Sequence, residues 1–177
     1  EVVEIINKLT DKGFKEIVLS GINIGDFGFE TSSNLESLLI EIEKNKKLKR
    51  YRISSIEPNL INENILKILS DSNKAMPHFH IPLQSGSNKI LKLMKRRYTA
   101  EQYVEKINYI NKLIPNVNIG VDVIVGFPGE SIEDFEKTYN LLSSLEVAYF
   151  HVFTYSERKN TEAQSISPKI DESIKKN

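Results

Sequence analysis

The chain has 177 residues, 40% hydrophobic and 27% charged, enough for one domain with a sizeable core. Its 24 basic and 24 acidic residues cancel, which argues against a strongly basic domain that coats nucleic acid but leaves a local basic patch open. No apolar run approaches the roughly 20 residues that span a bilayer, and no signal-peptide pattern opens the chain, so the expected compartment is the cytoplasm with no membrane partner. Cysteine is absent, which excludes disulfides and cysteine metal sites within these residues. The opening, EVVEIINKL, has no initiator Met and already reads as mid-helix, as in a piece of a longer protein.

Two periodicities alternate along the chain. Val2, Val3, Ile5, Ile6 and Leu9 define a helical face that Gly13 ends. KEIVLS (15–20) reads as a buried strand, NLESLLIEIEKN as an amphipathic helix capped by Asn34, and YRISSI (51–56) as a strand. NENILKILSDS follows as a helix capped by Asn62. HFHIPL (78–83) is a strand that Pro82 ends or bends. A helix starts at Ser87, and a second has Thr99 and Gln102 as a capping box and Pro115 as its stop. VNIGVDVIVGF (117–127) is a strand, SIEDFEKTYNLLSSL a helix boxed by Ser131 and Asp134, and VAYFHVFTY (147–155) the last strand. The order α-β-α-β-α-β-α-α-β-α-β predicts a parallel sheet covered by helices.

Unusual residues gather at all five strand ends: SGIN, SSIEP, PLQSGS, VGFPGE and TYSERKN. A doubly wound sheet concentrates its site at one switch point, whereas a (βα) barrel uses every strand end, so the pattern favours a barrel. After Ser156 the chain turns polar and reads as a linker, 157–177, leaving a domain of residues 1–156.

Each strand end has a functional and a plain reading. Gly21, Asn23, Gly25, Asp26 and Gly28 lack the G-x-G-x-x-G spacing, so they make either a glycine turn or a close approach to a ligand. Glu57 either binds an ammonium or hydroxyl group or faces solvent. His78 and His80 share a sheet face, but two histidines make a weak metal case, and packing or hydrogen bonding is the better reading. Gln84 stands at a strand end before a glycine turn. Lys95, Arg96 and Arg97 beside Tyr98 suit phosphate and a stacked base, or simply a helix end. Asp122 lies inside an apolar strand, where a carboxylate needs a partner. Gly126, Pro128 and Gly129 build a tight turn whose Glu130 disfavours a phosphate there. Phe153 and Tyr155 share a face that suits a planar base, with Arg158 close behind. These residues support a ligand site spread over several strand ends, but they name no reaction.

In this order and spacing, RISSIEP, HIPLQSGSNKILKLMKRRYT, VDVIVGFPGES and FHVFTYSERKNTEA resemble the radical S-adenosylmethionine (SAM) methylthiotransferases over nearly the whole chain. SGINIGDFG looks like the branch acting on threonylcarbamoyladenosine in tRNA. The resemblance implies a TIM-like partial (βα)6 barrel, here with strands two to six and without the first. It implies SAM and a 4Fe–4S cluster, and cleavage of SAM to a 5′-deoxyadenosyl radical. It also implies hydrogen abstraction from C2 of the modified adenosine at position 37 in the tRNA anticodon loop, then methylthiolation. The sulfur donor and the catalytic residues stay unassigned.

The C-x-x-x-C-x-x-C loop of that family is expected upstream of Glu1, and a TRAM domain beyond the linker. The chain alone is therefore expected to bind no cluster, to hold no metal and to be inactive. By position, the resemblance assigns Gly21 and Asn23 to the methionine amino group of SAM. It assigns Glu57 and Gln84 to the polar wall of the SAM site, with Asp122, Gly126, Phe153 and Tyr155 also on the cofactor. Arg96, Arg97 and Arg158 are the candidates for RNA or the SAM carboxylate. Asn160 stands where the family usually has Gly, and Glu162 where it often has Pro; Asn tolerates positive φ well enough to keep the turn. Methylthiotransferases acting on isopentenyladenosine tRNA or on a ribosomal protein, and a non-catalytic RNA-binding barrel, are the alternatives.

Overall fold

Two helices of the first unit begin where the sequence places an asparagine cap. Asn34 accepts the Ser37 N–H at 2.8 Å, and Asn62 accepts the Ile65 N–H at 2.9 Å. These caps open α2 (Leu35–Glu43) and α3 (Glu63–Asp71); α1 (Val2–Asp11) precedes them and ends before Gly13 at φ +94°. The structure, a computed structural model, describes residues 1–175, positions 172 and 174 by backbone alone. The chain divides into two compact units: Glu1–Ile81 with Tyr109–Ile119, and Pro82–Asn108 with Gly120 onward. No helix among the described residues is long and apolar enough to cross a membrane.

In the first unit, β1 (Glu16–Leu19) and β2 (Arg50–Ile53) pair in parallel, from Glu16 opposite Arg50 to Leu19 opposite Ile53. β3 (His78–His80) lies beside the end of β2, where His80 O accepts the Ile56 N–H at 3.1 Å. Strand alternation sorts the faces: Tyr51 and Ile53 are buried, while Arg50 and Arg52 are exposed. Leu39, Ile42, Tyr51 and Leu66 form the centre of this core. The opposite face carries an acid–base cluster, with Glu16 paired to Arg50 Nε at 2.5 Å and Arg52 Nη2 at 2.9 Å.

In the second unit, β4 (Asn118–Val125), whose first two residues belong to the first unit, pairs in parallel with β5 (Tyr149–Thr154). Gly120 stands opposite Tyr149; a Cβ there would lie 2.2 Å from the ring, so a larger residue would displace the tyrosine. α4 (Asn88–Leu93) begins after Ser87, as expected, and is short. Lys95 turns to φ +57° and the Arg96 N–H bonds Leu91 O at 2.9 Å, which ends the helix. α5 (Ala100–Leu113) opens on the predicted Thr99–Gln102 box, and α6 (Ile132–Ser144) on Ser131–Asp134. Burial raises the Asp134 pKa, but hydrogen bonds from Lys89, Ser87 and Ser131 outweigh it and hold the carboxyl well below the usual range.

The polar segment after Ser156 folds back on its own unit. The Gly129 N–H donates to Pro168 O at 2.8 Å, Lys169 pairs with Glu157, and a short helix, α7 (Glu172–Lys175), ends the described chain. Positions 176–177 of the expected linker lie outside the described residues.

Candidate functional site

The second unit builds its site around Gln84. Leu83 and Gln84 both donate their N–H to Asp122 O, at 3.1 and 2.8 Å, and Gln84 O accepts the Ile124 N–H at 2.9 Å. Gln84 is thereby pinned to β4 at φ +69°, a left-handed conformation rare for glutamine. The residue is 9% exposed, and its Oε1 is buried without a hydrogen-bond partner. It lines a cavity of about 480 Å³ together with Asp122, Ile124, Phe153, Tyr155 and Arg158. A buried acceptor with nothing donating to it, beside two aromatic rings, suits a planar ligand that carries an amino or hydroxyl donor.

Around this cavity the backbone is held from several sides. The Tyr155 N–H donates to Val125 O at 2.8 Å, and the Tyr155 ring meets Phe127 edge-on at 5.1 Å. Tyr155 Oη is a second buried atom without a partner. Ile124 and Tyr155 also border a neighbouring cavity of about 350 Å³, walled by Leu93, Met94, Phe127 and Arg96. Asp122 Oδ1 lies 3.1 Å from His151 Nδ1, which supplies the partner that a carboxylate within a strand needs. Gly126, at φ +75°, borders a smaller cavity with Tyr155, and the Lys175 stem packs against it. Burial pushes the Glu130 pKa up, although its carboxylate accepts the Gly126 N–H.

The first unit makes a separate polar cluster at its strand ends. Asn23 Nδ2 donates to Asp26 at 2.7 Å, while Asn23 Oδ1 accepts the Glu57 N–H at 3.3 Å. The loop after β1 is thus tied to the loop after β2. Gly21 is exposed, and a Cβ there would touch nothing within 4 Å. His80 Nδ1 lies 3.0 Å from Ser55 Oγ, consistent with a hydrogen-bonding role for that histidine.

Of the residues the sequence singles out, Gln84, Asp122, Phe153, Tyr155 and Arg158 share one cavity. Arg96 and Gly126 border its neighbours through Tyr155. Arg97 is exposed in the turn after α4 and lines none of these cavities. Sequence reasoning missed Thr161 and Ala163, which line the main cavity from the segment read as a linker. It also missed Thr138, whose only signal is its place four residues after the capping Asp134.

A family model for the radical SAM superfamily matches residues 1–142. The threonylcarbamoyladenosine tRNA methylthiotransferase MtaB of Aquifex aeolicus is 44% identical over 176 residues, covering 99% of this chain and 43% of the relative. Its Bacillus subtilis counterpart is 42% identical, covering 99% and 39%. A tRNA-2-methylthio-N(6)-dimethylallyladenosine synthase of Natranaerobius thermophilus is 39% identical, covering 97% and 38%. The chain spans about two-fifths of the length of these relatives. Among solved structures, the radical SAM methyltransferase TsrM from Kitasatospora setae, determined with cobalamin and a 4Fe–4S cluster bound, superposes with a TM-score of 0.69 at 15% identity. That match covers 86% of this chain and 30% of TsrM. Escherichia coli coproporphyrinogen III oxidase HemN gives 0.66 at 17% identity, covering 86% and 35%. At these identities the two superpositions speak for the fold alone.

Proposed function

Because the chain belongs to the radical SAM superfamily, we propose that the cavity of its second unit takes S-adenosylmethionine, within a partial barrel of radical SAM type. The whole protein then adds a methylthio group to C2 of N6-threonylcarbamoyladenosine in the tRNA anticodon loop. The observation that carries the cofactor reading is the buried, unpartnered Oε1 of Gln84 in a cavity bordered by Phe153 and Tyr155. Gln84 accepts from a ribose hydroxyl or an amino group, and the two rings flank the adenine. Asp122 and the Gly126 turn complete the polar and backbone walls. In the first unit, Asn23, Glu57 and the Gly21 turn offer an ammonium-binding strand end. Arg96, Arg97 and Arg158 are the cations for tRNA or for the cofactor's carboxylate.

S-adenosylmethionine, when bound, supplies the radical chemistry and the methyl group; the residues named here bind and orient it. Iron–sulfur clusters need thiolates, and none of the 177 residues is cysteine, so this chain by itself furnishes no ligands of that kind. Incubated with iron and sulfide, the chain is expected to show no cluster absorbance in the visible, and a stoichiometric cluster would overturn that reading.

The substrate reading rests on the SGINIGDFG stretch after β1, with 44% and 42% identity to two threonylcarbamoyladenosine enzymes beside it. It is tested by expressing the full-length protein in a bacterial strain that lacks the corresponding methylthiotransferase, then digesting the tRNA and analysing nucleosides by mass spectrometry. Appearance of 2-methylthio-N6-threonylcarbamoyladenosine is expected. Methylthiolation of the dimethylallyl nucleoside instead, or of neither, sinks the substrate reading.

A further inference from the structure

Two turns that border the cavities, Gln84–Ser87 and Gly126–Ser131, meet at a buried polar cluster on α6. Ser85, Ser87, Asp134 and Thr138 are 0%, 1%, 3% and 3% exposed. None of the four lines the cavity that holds Gln84.

The cluster is closed in its hydrogen bonds. Thr138 Oγ1 donates its one proton to Asp134 O at 3.1 Å. It therefore acts as acceptor for the Gly86 N–H at 2.9 Å and for the Ser85 hydroxyl at 3.2 Å. Ser85 Oγ in turn accepts the Ser87 N–H at 3.1 Å, and the Ser87 hydroxyl donates to Asp134 Oδ1 at 2.7 Å. The other carboxylate oxygen takes Lys89 Nζ at 2.7 Å and the Ser131 hydroxyl and N–H at 2.8 and 3.0 Å. Lys89, on α4, also reaches Gly129 O at 2.8 Å, so one lysine ties α4 to the second turn and to α6. Backbone contact is as tight as the bonding, since a Cβ on Gly86 would lie 2.6 Å from Thr138 Cα.

Gln84 sits between this cluster and β4, which holds it through Asp122 O and Ile124 N. A φ of +69° is uncommon for glutamine, and contacts on both sides of the turn hold it there. We propose that Thr138 and Asp134 are positioning residues: they clamp residues 85–87 to α6 and so hold the Gln84 side chain in the cavity. The proposal rests on the reading of that cavity as the S-adenosylmethionine site.

The test uses the full-length protein with Thr138→Val, which keeps the shape but removes the hydroxyl, and Thr138→Ser, which restores it. Equilibrium dialysis against S-adenosylmethionine is expected to show affinity lowered about tenfold by the valine and recovered to within about twofold by the serine. In a Gln84→Ala background the valine should change affinity no further, because the group it positions is gone. Lowered stability with unchanged affinity, or additive losses in the double variant, would overturn the proposal. If the unmodified protein binds no S-adenosylmethionine, the reading of the cavity fails, and amide exchange without ligand decides the clamp by itself. Thr138→Val must then speed exchange of the Gln84 amide about tenfold relative to Val121 in β4. Equal ratios in variant and parent remove the clamp.

Discussion

Glu130 closes the turn after β4 by taking the Gly126 N–H on its own carboxylate, 2.5 Å away. Burial raises the Glu130 pKa, so the folded chain keeps the Glu130 carboxyl protonated at pH values where the unfolded chain has ionised it. The folded state therefore binds more protons, and stability falls as pH rises from the ordinary glutamate value through the raised one. Glu130→Gln keeps an acceptor for Gly126 without the charge. Its urea-unfolding free energy should match or exceed that of the parent at neutral pH and flatten over that interval. Glu130→Ala leaves the Gly126 N–H unpaired and should cost about 1–3 kcal/mol. A glutamine variant with the parent's pH slope would mean that another group sets it.

Gly86 and Gly21 should respond in opposite ways to the same methyl group. Gly86→Ala drives a Cβ to 2.6 Å from the α6 backbone at Thr138, which is expected to cost about 1–3 kcal/mol or more. Gly21→Ala adds a Cβ in open space and should stay within about 0.5 kcal/mol of the parent. Thermal unfolding of both variants checks the pair; equal losses would contradict the close approach at Gly86.

Asn160 adopts φ +64°, and its N–H donates to Gln164 Oε1 at 3.1 Å. The turn therefore persists with asparagine where the resemblance puts glycine. Asn160→Gly should be tolerated within about 0.5 kcal/mol, while Asn160→Ala, in the same left-handed conformation, should lose about 1 kcal/mol. Calorimetric melting separates the two, and an alanine as stable as the glycine would show that the turn relaxes.

Arg97 is exposed and lines none of the cavities described above, so its proposed role is on the tRNA backbone. In the full-length protein, Arg97→Ala should weaken tRNA binding and lower the slope of log affinity against log salt by about 1. Filter binding across a salt series measures this, and an unchanged slope removes the phosphate contact.

What the residues settle among themselves is local. Asn34, Asn62, Thr99 with Gln102, and Ser131 with Asp134 cap their helices as their spacing predicts, because each bond spans three residues along the chain. The βα alternation and the parallel pairing follow from apolar periodicity in the same way. Gln84 and Asp122 were legible as polar groups at or within strands, but the buried, unpartnered state of Gln84 depends on β4, some 40 positions on, and only folding sets it. The serines of the SGS turn read as turn formers; their bonds to Asp134 and Thr138 reach across roughly 50 residues and leave no local trace. The segment after Ser156 read as a linker because its composition is polar. It returns to its unit through backbone and charged contacts such as Gly129 N–H to Pro168 O, and a hydrophobic pattern does not record these. The sequence by itself determined the helix caps, the strand order and the family, because those signals are periodic or contiguous. Only the tertiary structure decided which polar side chain lies buried without a partner, since that depends on groups far away along the chain.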